Sequence, residues 1–416
     1  MASVEAAFTS RTRRSKAEYE RLAASLPGGE TRSVAGYEPY PVVLVHGTGN
    51  TVRDLDDNEY LDLLNNYTSL VHGHSHPRIT AAVAAALPGG TVFPAPHPAQ
   101  GQLAGLLADR LPAVELTRFT NSGSEASVLA ARLARHVTGR DRIVHFTGGY
   151  HGTGERFADP WPTVIRVPYN DAAALRAAVD ETVGAVFAEP FLGSGGVVPA
   201  REDFLHAVQE SARGAGALFV LDEVQGLRNH YRGTHAALGL SPDLILMGKI
   251  IGGGLPVGAV GGRAELIGQL ATSAPRRLAH SGTFNGNVLS MVAGAVSMEL
   301  LTAQEIARMD RMAARLADEI TRAGKLAGLE VRVTRAGSIM HVHFLGAAPA
   351  DYEGAERADP RPGALLHLAL LTHGVYAAPR GMLNLSTALA DADIDRAATA
   401  YERALADVAR EWRPTG

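Results

Sequence analysis

Apolar runs without a two-residue alternation mark the middle of the chain. VELTRFT (114–120), DRIVHFT (141–147), VGAVFAE (183–189), GALFVLDE (216–223), LILMG (244–248) and PVGAVGG (256–262) are apolar at nearly every position. Strands covered on both faces read this way, as in a parallel sheet. Helical patterns lie between several of them: SEASVLAARLARHV (124–137), AAALRAAV (172–179) and EDFLHAVQESARG (202–214). The alternation predicts an α/β fold, a mostly parallel central sheet with helices on both faces.

The last third follows a different pattern. LSMVAGAVSMELL and QEIARMDRMAARLADEITRAGKLA, within 289–327, predict long helices. LEVRVTR and SIMHVHFLG predict two strands, and GALLHLALLTHG, a short strand and a final helix over about 391–411 complete a smaller α+β layer. The polar segment 346–363 reads as an exposed loop within that layer, and 86–101 as a long irregular connection. The resulting layout is an N-terminal segment (1–70) joining the small domain, a large domain (71–295) and a C-terminal small domain (296–416). No internal repeat is visible.

Composition narrows the function classes. With 46% hydrophobic and 20% charged residues the chain reads as an ordinary globular protein. A net charge of -4 argues against a nucleic-acid partner. The basic run RTRRSK (11–16) reads as a solvated helix face. The absence of cysteine excludes disulfides, thiolate metal sites and cysteine nucleophiles. The N-terminus carries no apolar signal core and no window is long and apolar enough for a bilayer, so a cytoplasmic protein without membrane contact is expected.

Only three lysines occur, Lys16, Lys249 and Lys325. Lys249 ends an apolar strand directly before a glycine cluster, in MGKIIGGGLP (247–256). Arginine snorkels from a strand end as well as lysine does, but only lysine readily loses its proton and forms an imine. Twenty-seven residues upstream, GALFVLDEV places Asp222 and Glu223 at another strand end, with side chains to opposite faces. A lysine and a carboxylate at neighbouring strand ends suit an electron-sink cofactor such as pyridoxal phosphate (PLP); an ordinary Asp–Lys ion pair is the plain alternative. Asn121–Ser122–Gly123–Ser124 opens a helix after a strand, which suits a phosphate but is also an ordinary helix cap. GGYHG (148–152) places Tyr150 where its ring can stack on a flat ligand, with His151 beside it. The lysine precedes the glycines, the wrong order for a P-loop, and no dinucleotide fingerprint is present. The alternating His72, His74 and His76 in HGHSHP read as a structural turn rather than a metal site, and His341 and His343 as same-face residues of one strand.

Taken together, NSGSEA, GGYHG, LDEV, MGKIIGGGLPVGA and HSGTFNGN resemble, in order and spacing, the class III PLP-dependent aminotransferases of fold type I. The resemblance runs from roughly 25 to 410 and is strongest to the subgroup of β-phenylalanine aminotransferases and glutamate-1-semialdehyde 2,1-aminomutases. It implies that Lys249 forms the Schiff base with PLP and then moves the substrate proton. Asp222 would pair with the pyridine nitrogen, Val224 would face Tyr150 across the ring, and Glu189 would lie on the cofactor's hydroxyl side. Ser122, Gly123 and Ser124 would cup the phosphate. Thr283 would reach that phosphate from a neighbouring subunit, implying a homodimer with shared active sites. The glycines after Lys249 would let the chain pass close to the cofactor and the partner subunit. Arg32 and Arg380 are the implied carboxylate binders, with Arg228 lining the same pocket. The sequence departs from the family after D-E-V, where DEVQGLRNHYRG replaces a T-G-F-G-R-T-G run, so the arginine switch of the ornithine-type enzymes does not transfer.

The function so implied is transfer of an amino group from a β-amino acid, aromatic or aliphatic, or a related carboxylated amine to a 2-oxo acid. The alternatives are an intramolecular aminomutase and a catalytically silent binding protein.

Overall fold

The computed structural model describes residues 3–154, 163–201 and 203–412. The chain divides into two compact units. One comprises residues 77–306 with 350–352; the other comprises residues up to 76, 307–349 and 353 onward.

The first unit is built on a seven-stranded sheet: β1 Leu116–Thr120, β2 Arg142–Phe146, β3 Val164–Val167, β4 Val183–Ala188, β5 Leu218–Asp222, β6 Leu244–Gly248 and β7 Gly258–Gly262. The spatial order is β1-β7-β6-β5-β4-β2-β3. β7 runs antiparallel to β6 and β1, and all other pairings are parallel. Every residue of β4, β5, β6 and β7 is buried, the physical counterpart of their unbroken apolar runs. The edge strand β3 escaped the sequence pattern because only its last residue, Val167, is buried.

Helix α1, Gly123–Thr138, covers one face of this sheet. Ala126, Leu129, Ala130 and Leu133 share a core with Phe187, Val220 and Leu246. Each fully buried leucine there contributes about 1.5–3 kcal/mol. The helix begins where Ser122 Oγ accepts the Glu125 N–H at 3.2 Å, and it ends at Gly139 in the left-handed region. Register then sets the functional edge. Asp222 of β5 pairs with Leu246 of β6, and Lys249 follows three residues later, so both side chains leave the sheet at its carboxyl edge. Ligands of open α/β sheets bind beyond that edge.

The glycines around Lys249 serve packing within the chain. A Cβ on Gly253 would collide with the Ala293 carbonyl, and one on Gly294 with that of Ile251. Helix α2, Val288–Leu300, therefore lies directly on the turn that follows Lys249, and Ser297 Oγ donates to the Ile250 carbonyl at 2.8 Å.

The second unit holds two small sheets. In one, Leu44–Thr48, Thr51–Asp54 and Glu59–Asp62 run antiparallel, and Val375–Tyr376 joins Glu59–Asp62 in parallel. In the other, Arg332–Ala336, Ile339–His343 and Met382–Asn384 are antiparallel. Helices Pro360–Thr372 and Asp391–Glu411 pack on each other. The segment 346–363 differs from the single exposed loop that composition predicts. Residues 350–352 belong to the sheet unit, where Ala350 accepts from Asn170 Nδ2 at 2.8 Å and the Tyr352 ring packs on Gly148, and a short helix spans Tyr352–Glu356. Among the described residues no helix is long and apolar enough to cross a membrane.

Candidate active site

Asp222 ends β5 with 5% exposure. Its Oδ2 lies 2.8 Å from His151 Nδ1, and its Oδ1 accepts the Val224 N–H at 3.0 Å. Burial opposes protonation of His151, but the hydrogen bond to Asp222 and the charges of Asp222 and Glu189 outweigh it and raise the imidazole above its ordinary value. The result is a carboxylate fixed in direction in the interior beside an imidazole whose charged form is favoured. Its neighbour Glu223 points to the other face and is fully consumed by structure. It accepts the Thr234 and His235 N–H groups, each at 2.9 Å, and lies 2.8 Å from His235 Nδ1.

Glu189, just past β4, binds the loop that carries Tyr150. Its Oε2 accepts the Tyr150 N–H at 2.8 Å and its Oε1 the Gly193 N–H at 3.2 Å. Burial pushes this carboxyl up to about 7, against the pull of His151 and with the push of Asp222. The Tyr150 ring itself is 47% exposed, as a stacking surface must be.

The turn Asn121–Ser124 is a completed cap. Glu125 Oε2 reaches back to the Asn121 N–H at 2.9 Å. Two other motifs close on it. A Cβ on Gly152 of GGYHG would stand 2.5 Å from Ser124 Cα, so only glycine lets the two segments touch. Val224 packs between Gly123 and Gly248, which join the helix start to the residue before Lys249. The structure thus brings together Ser122, Gly123, Ser124, Tyr150, His151, Glu189, Asp222, Val224 and the Gly248–Lys249 step. Lys249 is half-buried with φ of 49°, an uncommon conformation for a residue with a Cβ.

These residues fit PLP. The buried carboxyl group of Asp222 suits a ring nitrogen, the capped helix start suits a phosphate, Val224 offers an apolar face and Lys249 an amine. Thr283 sits in an exposed stretch of the same unit. The next residue but one, Asn285, accepts from Asn121 Nδ2 at 2.9 Å and so ties that stretch to the phosphate turn. Arg228 lies in the interior at 1% exposure, where burial lowers it to about 9.

Arg32 and Arg380 belong to the second unit, and both are exposed. Their guanidinium carbons lie 5.8 and 6.0 Å from the ring centre of one residue, Tyr67. Arg32 Nη1 also donates to Asn66 Oδ1 at 2.7 Å. Sequence reasoning missed Tyr67 and Asn66; the available signal was the Asn-Asn pair after a strand, since asparagine tolerates left-handed backbone. In the histidine cluster, His74 Nε2 lies 2.7 Å from Asp62 Oδ2 and His72 Nδ1 2.9 Å from Thr387 Oγ1. Among the described residues no group of three metal-ligating side chains occurs.

Comparison with known proteins identifies the family. Residues 33–405 match the model of the family described as aminotransferase class-III. The β-phenylalanine transaminase of Variovorax paradoxus is 40% identical over 409 residues, spanning 94% of this chain and 92% of that protein. Glutamate-1-semialdehyde 2,1-aminomutase 2 of Geobacillus kaustophilus is 36% identical over 422 residues, spanning 94% and 98%. A solved β-phenylalanine aminotransferase from Variovorax paradoxus matches with a TM-score of 0.91 at 37% identity, covering 95% of each chain. The chain belongs to the class III aminotransferases and is a PLP-dependent aminotransferase of fold type I.

Proposed function

We propose that this enzyme moves an amino group from a β-amino acid, aromatic or aliphatic, to a 2-oxo acid. The observation that carries this reading is the pair Arg32 and Arg380. Both are exposed, both approach Tyr67, and among the described residues neither forms an ion pair. Two guanidinium forks without a resident carboxylate suit a carboxylated substrate. The relative at 40% identity is a β-phenylalanine transaminase, which agrees.

PLP supplies the electron sink that takes up charge at the substrate carbon. Lys249 would anchor it and would move the proton at the substrate carbon. Asp222, oriented by His151, would pair with the ring nitrogen. Ser122, Gly123 and Ser124 would hold the phosphate, and Tyr150 and Val224 would flank the ring. Thr283 of a second copy completes the phosphate site, so the working form is a homodimer.

The test is a visible absorbance scan of the PLP-loaded protein as β-phenylalanine is added without a 2-oxo acid. The cofactor's aldehyde-form band should convert to its amine-form band and return when a 2-oxo acid follows. A band that stays still with β-amino acids but moves with α-amino acids overturns the substrate class. The relative at 36% identity favours a second reading, an intramolecular aminomutase. That enzyme would convert an amino aldehyde with no 2-oxo acid present.

A further inference from the structure

We propose that the turn Asn65–Thr68 is a strained platform that positions the two carboxylate-binding arginines, with Asn66 and Tyr67 as its positioning residues. The inference rests on the carboxylate role proposed above for Arg32 and Arg380.

Four consecutive residues with a Cβ sit at positive φ: Asn65 at 48°, Asn66 at 48°, Tyr67 at 53° and Thr68 at 75°. Asparagine tolerates this region; an aromatic and a β-branched residue do so only under constraint. The constraint is visible. Asp62 Oδ1 accepts the Leu64 N–H at 2.7 Å and the Asn65 N–H at 2.9 Å. Asn65 Nδ2 donates to the Asn384 carbonyl at 2.8 Å, and Asn384 Nδ2 returns a bond to the Leu64 carbonyl at 2.7 Å. Asn65, Asn384 and Asp62 are all buried, so the turn is held from beneath by groups that need it in place. A backbone over-determined in this way is where strain accompanies function.

The turn presents two side chains to the arginines. Asn66 Oδ1 accepts from Arg32, while the Tyr67 hydroxyl donates to the Val34 carbonyl at 2.5 Å and so fixes the segment just after Arg32. The Tyr67 ring attracts both guanidinium groups at about 6 Å. One ring thereby attracts two cations that form no ion pair among the described residues. Burial keeps the Tyr67 phenol above its ordinary value despite the opposing pull of Arg380 and Arg32, so it remains a donor. Substrate carboxylate then meets two forks already gathered, and less ordering is left to binding.

The experiment measures kcat and KM of the PLP-loaded enzyme for β-phenylalanine and for 1-phenylethylamine, which lacks the carboxylate. Tyr67→Leu should raise KM for the β-amino acid about tenfold with kcat little changed, and leave the amine unaffected. Tyr67→Phe keeps the ring and should recover most of the loss. Asn66→Gly keeps the left-handed backbone without strain, so the thermal midpoint should hold or rise while KM for the β-amino acid still increases. This variant keeps the test alive if Tyr67→Leu does not fold. Unchanged KM in both Tyr67→Leu and Asn66→Gly, or equal losses on both substrates, overturns the platform. If Arg32→Ala and Arg380→Ala themselves leave KM for β-phenylalanine unchanged, the carboxylate reading falls instead.

Discussion

Glu189→Gln isolates the electrostatic cost of the candidate site. Glu189 is 5% exposed, and burial is the main reason that its carboxyl moves from an ordinary 4.5 to about 7. An acid whose folded value exceeds its unfolded one binds more protons folded than unfolded between the two. Its contribution to stability therefore falls as pH rises from about 4.5 to about 7, and then stays level. That displacement corresponds to ~3 kcal/mol against the fold at pH 8. Glutamine removes the charge but leaves one oxygen for the two N–H groups of Tyr150 and Gly193, a loss of about 1–2 kcal/mol. The variant should then be ~1–2 kcal/mol more stable than wild type at pH 8 and no more stable at pH 4.5. Thermal midpoints of the PLP-free protein between pH 4.5 and 8.5 read this as a difference that grows by a few degrees. Two parallel curves would refute the reasoning, because Glu189 would then not titrate across that range in the folded protein.

Three further outcomes follow from the geometry. Gly152→Ala pushes a methyl to 2.5 Å from Ser124 Cα at a φ of 92°, so PLP affinity, measured by titration of the PLP-free protein, should fall at least tenfold through overpacking of about 2 kcal/mol. His151→Gln leaves Asp222 without its charged partner and should lower stability by about 3 kcal/mol at pH 6. Because the His151 value is raised on folding, that contribution is complete below its unfolded value and fades as pH rises through the folded one; the gap in denaturant midpoint between variant and wild type should therefore narrow from pH 6 to 9. Lys249→Gly relieves a positive φ, so the PLP-free protein should gain about 1 kcal/mol while turnover with any amino donor disappears.

The sheet was legible because burial on both faces writes itself into composition: β4 to β7 appear as continuous apolar runs. Asp222 and Lys249 were legible because each ends such a run at the same edge. What stayed hidden depends on contacts between distant segments. The sequence places His151 beside Tyr150, yet its partner is Asp222, 71 positions away. Asp222 and Glu223 look interchangeable as letters; only the pleat sends one to His151 and the other to His235. Arg228 lies six residues past Asp222, and only the structure shows that it is buried in the turn Gly226–Asn229. Tyr67 carries no chemical signal of its own, since its meaning comes from arginines 35 positions before it and 313 after it.

Strain in this chain is not scattered. Nine non-glycine residues among those described have positive φ: Asp57, Asn65, Asn66, Tyr67, Thr68, Ser75, Asn170, Val197 and Lys249. Asparagine, aspartate and serine at isolated turns need no special account. The residues least suited to that region are Tyr67, Thr68, Val197 and Lys249. Lys249 is the proposed attachment point, and Tyr67 and Thr68 form the turn beneath Arg32 and Arg380. Val197 lies in the loop whose Gly193 N–H is held by Glu189. Each costs about 1–2 kcal/mol where glycine would cost almost nothing. Glycine is abundant in this chain, with 45 residues, so its absence at these positions is a choice of side chain over backbone comfort. The lysine is needed for its amine and the tyrosine for its ring. The packed helix α2 behind one and the Asp62–Asn384 clamp behind the other keep both in conformations that the backbone alone would abandon.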